Sequence, residues 1–129
     1  MSLETGLTTY LKAHAGLSAL VGARIYPMVI PEGTTGDCVT WQVLAGRELR
    51  FGDYVWPRLL LKSWSKDPAG AMIKIIAIDT QLREALEGYH GAMGDVHVYV
   101  FTDPRGDTYE PDTGWYCRMR EARPLHKAS

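Results

Sequence analysis

The stretch VHVYVFTDPRGDTYEPDTGWYCRMREAR, residues 96–123, decides the fold. Val96, Val98 and Val100 alternate with His97, Tyr99 and Phe101, and Trp115, Cys117 and Met119 alternate with Tyr116, Arg118 and Arg120. That period of two marks two strands packed on at least one face, Val96 to Phe101 and Trp115 to Arg123. Between them Asp103 to Gly114 is acidic and punctuated by Pro and Gly, which predicts a loop. Since about 2 to 5 residues suffice to join antiparallel strands, so long a connection is expected to project or to be ordered by a partner.

Upstream, Asp67-Pro68 reads as a helix start, with the Asp capping and the Pro at the first helical position. Ile75, Ile78, Leu82, Leu86 and Tyr89 then recur at helical spacing, and Gly88 and Gly91 close the helix. Tyr54 to Ser65 reads as a strand in which Pro57 demands a bulge or an edge, and Leu59, Leu60 and Leu61 require cover on both faces. Cys38 to Ala45 is a further strand, followed by a polar connection from Gly46 to Asp53. Arg24 to Pro27 is extended, Pro27 and Pro31 keep it out of a sheet centre, and Glu32 to Asp37 is loop.

At the start, Ser2 is placed to cap a helix carrying Leu3, Leu7, Tyr10 and Leu11 on one face and ending at Gly16. A short apolar turn, Leu17 to Val21, follows. These elements make one α+β domain over residues 1–129. Its expected form is an antiparallel sheet of about four to five strands packed against two main helices.

With 46% hydrophobic and 22% charged residues the chain has ordinary globular usage, so it is expected to fold alone. A net charge of −1 supplies no attraction for phosphates and argues against sequence-specific nucleic-acid binding. No apolar run approaches the roughly 20 residues that span a bilayer, so no membrane partner is expected. Acidic residues crowd Asp79 to Asp112 and basic ones Arg118 to Lys127, which suggests either solvated surface or complementary contacts between subunits. Cys38 and Cys117 fall in strands with no signal peptide before them, so free buried thiols in a reducing cytoplasm are expected.

Residues suited to chemistry are sparse. His14, His90, His97 and His126 lie singly without metal-ligand spacing. Asp103, Asp107, Glu110 and Asp112 miss the alternating pattern of a calcium loop, and Arg105-Gly106-Asp107 is a turn composition rather than a motif. No glycine-rich phosphate loop is present. No catalytic residue, metal ligand or cofactor is therefore assigned. Four Trp and seven Tyr are many for this length, and such residues either fill a small core or mark places where subunits meet. Trp41 and Trp64 are assigned to the core, Trp56 and Trp115 to possible contacts.

In order along the chain come Leu20-Val21-Gly22, Arg24-Ile25-Tyr26-Pro27, Cys38-Val39-Thr40-Trp41-Gln42, a strand ending near Trp64, Leu86-Glu87-Gly88, and Tyr109 to Tyr116 with its Glu-Pro-Asp-Thr-Gly-Trp centre. This succession resembles the tail-completion, or tail-terminator, proteins of long-tailed bacteriophages and prophages, over almost the whole chain. The resemblance implies a structural, non-enzymatic protein of the virion tail, assembled in the host cytoplasm. Such proteins form a homo-oligomeric ring, usually of six copies, on the head-proximal end of the tail tube. The ring stops tube polymerisation and faces the head connector or neck protein.

On that resemblance the interface residues are expected to be Arg24, Tyr26, Pro27, Trp56, Arg105, Asp107, Tyr109, Glu110, Asp112, Thr113 and Trp115. The Asp103 to Gly114 loop and the Arg24 to Pro31 segment would reach lateral or axial partners. Two alternatives stay open: a neck or minor tail protein of related fold, and a small hydrolase or toxin built on Cys38, His97 and Asp95.

Overall fold

The computed structural model describes residues 3–44 and 49–127. Ser2, expected to cap the first helix, lies outside the described residues, as do Ala45, Gly46 and the rest of 45–48 in the expected strand end and connection.

Helix α1, Leu3–Ala13, turns its Leu7 and Leu11 into the interior. Gly6 lies on that buried face, where α1 crosses the chain at Gly94 so closely that a Cβ would overlap its backbone. The segment expected to end at Gly16 breaks earlier, at His14, and Ala15–Val21 forms a second helix, α2. Gly16 sits inside α2 because Gln81 packs against its Cα, so the expected apolar turn is a helix that buries Leu17 and Val21.

The strands are β1 (Ile25–Pro27), β2 (Cys38–Val43), β3 (Leu49–Phe51), β4 (Tyr54–Trp56), β5 (Leu59–Ser65), β6 (His90–Met93), β7 (Val96–Glu110) and β8 (Trp115–Lys127), with α3 (Ala71–Leu86) between β5 and β6. The order β1-β2-β5-β8-β7-β6 makes β8 the centre, and β4, with β3 beyond it, continues the β5 side of β8. Among the described residues, eight strands and three helices replace the smaller sheet and two helices expected, and β1 runs parallel to β2. The class is α+β with most of its weight in strands. The expected strand from Tyr54 to Ser65 is split: Val55 opposes His126 and Leu59 opposes Ala122, so Pro57 falls opposite Pro124. Neither imino acid can donate to the ladder, and pairing lapses there.

The largest departure is the hairpin. Asp103 to Glu110 is strand, not loop; β7 stays paired with β8 from Tyr99↔Leu125 to Glu110↔Trp115, and only 111–114 turns. One residue is extra, Arg105, in a bulge between Pro104 and Gly106. The outer edge of β7 is closed first by β6, then by Glu87, whose Oε2 accepts from the amide and hydroxyl of Thr102 at 2.7 and 2.8 Å. Two residues on, on the same side, Pro104 has no amide hydrogen to leave unpaired.

All three helices cover one face of the sheet. Leu7, Leu11, Leu17, Val21, Ile78, Leu82 and Leu86 meet Val39, Leu59, Leu61, Val98, Val100 and Ala122 there. Trp41 Nε1 donates to Thr8 Oγ1 at 3.0 Å, tying β2 to α1. On the opposite face Cys38, Trp64, Trp115 and Cys117 form a second cluster under Tyr26, Ile30 and Met119.

Candidate functional site

The expected interface residues divide between the two sides of the sheet. Arg24, Tyr26 and Pro27 lie at the β1 edge; the others, apart from Trp56 on β4, line the β7–β8 hairpin beyond β5. Arg24 Nε donates to the Asp37 carbonyl at 2.7 Å, and its guanidinium lies against Gly36, where a Cβ would stand 2.7 Å from Nε. It thereby ties the backbone at Gly36 and Asp37 to the residue before β1. Tyr26 is half-buried on the second cluster and Pro27 is exposed.

On the hairpin, Arg118 holds Asp107 through two bonds of 2.9 and 3.0 Å. Tyr109 is 50% exposed with its ring 4.5 Å from that of Tyr116. At the turn, the Glu110 carbonyl accepts from Thr113 and Gly114, Thr113 Oγ1 accepts from the Trp115 amide, and Asp112 is exposed. Trp56 donates Nε1 to the Arg123 carbonyl at 2.9 Å and meets Phe101 edge-on at 5.6 Å. Trp115, assigned to contacts because of its place beside a loop, is instead interior: 6% exposed, edge-on to Trp64 at 6.2 Å, with Lys66 Nζ 4.8 Å above its ring.

The acidic and basic stretches are not two opposed surface patches. Asp107 pairs with Arg118, Asp103 with Arg123 at 2.8 Å, and Asp79 with Arg120 at 2.9 Å, all within the chain. Hairpin pairing brings the first two together and α3 brings the third. Three acidic and three basic side chains of the two stretches are therefore paired inside the chain.

Among the described residues Glu121 is the most enclosed carboxylate, 2% exposed on the face away from the helices. Arg58 grips both its oxygens, and Arg105 and Arg123 stand 3.6 and 3.8 Å away. Arg58, foremost by its hydrogen bonds, holds the Glu121 carboxyl below its ordinary pKa against the opposing effect of burial. A lowered folded-state value stabilises fully above the unfolded glutamate pKa of about 4.3 and fades as pH falls through the lower value. Glu121→Gln is thus expected to narrow the stability gap between pH 7 and pH 3 in urea titrations; an unchanged gap would contradict the Arg58 clamp.

Cys38 and Cys117 flank Trp64 in register from either side of β5, so a strand separates the two free thiols. Burial pushes each up to about 12. Both are expected to resist thiol reagents in the native state at pH 8 and to react on unfolding; rapid native labelling of either would contradict this placement. His97 does not join Cys38. It is exposed at the β6 end of β7, edge-on to His90 at 4.7 Å, whereas the cysteine row meets β7 at Thr108. Among the described residues no three His, Cys, Asp or Glu side chains gather as a metal site. A cleft between α3 and the hairpin is lined by Asp79, Asp107, Arg118 and Arg120, already paired with one another, and by Arg83.

Sequence reasoning missed Glu121 and Asp79 as organising residues, because each acquires its partners from strands or helices distant in the chain. No family model matches the sequence, and no curated protein matches it. By fold the chain is similar to a chain in a solved structure described as the virion of a native gene transfer agent particle. The TM-score is 0.79 and the identity 15%, over 98% of this chain and 96% of that one. At that identity the likeness shows a shared fold.

Proposed function

We propose that this protein is a structural virion component that closes the head-proximal end of a tail tube as a homo-oligomeric ring, with six copies as the expected number. In that role it stops tube polymerisation and offers its other surface to a head connector or neck protein, acting by shape rather than by catalysis. The supporting observation is the fold likeness to a virion chain across nearly the full length of both proteins. The succession of segments resembling tail-terminator proteins points the same way. The exposed residues at the β1 edge and along the hairpin suit a head-to-tail contact, in which two different patches of each copy meet.

A neck or minor tail position draws equal support from the fold, and one experiment separates the two. Particles produced without this chain, viewed by electron microscopy, are expected to carry tubes of uncontrolled length. Tubes of normal length that fail to join heads would place the protein in the neck instead.

A further inference from the structure

Two exposed apolar features lie outside the contacts described above. The first is the tip that follows β1, where Met28 is 62% and Val29 69% exposed. Met28 has φ 66°, a left-handed conformation that unbranched non-glycine residues adopt only at some cost. Its amide nevertheless bonds the Trp41 carbonyl at 2.8 Å, and that of Val29 bonds the Pro27 carbonyl at 2.8 Å. The backbone therefore holds two apolar side chains out in water, and strain retained in this way is a pointer to use. Glu32, just beyond, is exposed and has no ion-pair partner among the described residues.

The second feature is the outer face of α3. Ile73 is 76%, Ile76 42% and Met72 41% exposed, at spacings of three and four that put them on one stripe. The same spacing continues through Thr80 to Arg83, an exposed guanidinium without an ion-pair partner among the described residues. The opposite side of α3 is buried on the sheet through Ile75, Ile78 and Leu82. One patch is thus an apolar tip beside a free anion, the other an apolar stripe ending in a free cation.

The geometry points to a contact between two copies of this chain, in which Met28 and Val29 of one seat on Ile73 and Ile76 of the next and Glu32 meets Arg83. Apolar groups occupy the centre and the complementary charges the rim, the usual anatomy of a specific interface. The two patches differ, so the contact is head-to-tail and each copy keeps one patch free for a further neighbour. This inference rests on the ring reading above and supplies its lateral contact.

The test uses two variants of the full chain, Val29→Cys and Ile73→Cys, both at exposed positions, while the native thiols are 0% exposed and stay out of the reaction. Mixed together with a short bis-maleimide, they are expected to yield a heterodimer, and each alone none. Glu32→Arg or Arg83→Glu should weaken self-association about five- to tenfold, and the two combined in one chain should restore it. Sedimentation reports assembly independently of the cross-link. Closed rings without the mixed cross-link overturn the contact and leave the ring. Cross-linked chains that never close keep the contact and remove the ring. Homodimers from either variant alone, or a monomer at every concentration with no cross-link, overturn the contact.

Discussion

Asp79→Ala is expected to lower the free energy of unfolding by about 3–5 kcal/mol, because it strands a buried guanidinium without its counter-charge. Asp79 and Arg120 are 6% and 7% exposed and joined by two bonds of 2.9 and 3.0 Å; Arg120 makes one more bond, to Thr102 Oγ1 at 3.0 Å. They fasten α3 to the centre of the sheet. Replacing both partners, Asp79→Leu with Arg120→Met, removes the two charges together and should recover most of the loss, since a buried pair gains little net stability over apolar groups of like volume. Urea titrations of the native chain, Asp79→Leu, Arg120→Met and the double variant close the cycle. A single-variant loss below about 1 kcal/mol would mean that water reaches the pair and that the helix is anchored by packing alone.

The second large effect concerns Trp115. Trp115→Ala is expected to cost about 3–5 kcal/mol in the isolated chain, the usual price of emptying a large aromatic site in a core. Its ring closes the cluster of Cys38, Trp64 and Cys117 on the face without helices. Tyr109→Ala, six residues earlier and 50% exposed, should change stability by less than about 0.5 kcal/mol. Were Trp115 a contact residue, the two substitutions would be equally harmless to the free subunit, and equal urea midpoints would return it to the surface.

These two residues also show where the sequence could and could not be read. The buried faces of α1 and α3 were legible because Leu7 and Leu11, and Ile75, Ile78, Leu82 and Leu86, repeat at helical spacing, a local property. The strand character of Val96 to Phe101 and Trp115 to Arg123 was legible by alternation. Asp103 to Glu110 was not, since Asp, Pro and Gly favour turns when read alone. What makes that segment a strand lies across the ladder: Arg118 and Arg123 on β8 neutralise Asp107 and Asp103, and the bulge at Arg105 absorbs the irregular stretch.

The short strands β3 and β6 escaped notice because three or four residues carry too little periodicity, and α2 was mistaken for a turn because seven residues make less than two full turns. Of the candidate surface, Pro27 and Tyr109 were named from the sequence as contact residues, and both are exposed. The free Glu32 and Arg83, the strained Met28 and the bare stripe of α3 were not legible, since charge pairing and exposure become visible only when the elements are packed.

We propose that these residues build a virion part placed where a tail tube meets its head. Purified particles from the source of this sequence, probed with gold-labelled antibody raised against the chain, test it most directly. Label at a single site between tube and head on each particle is the expected result. Particles that are complete and carry no label anywhere would contradict it.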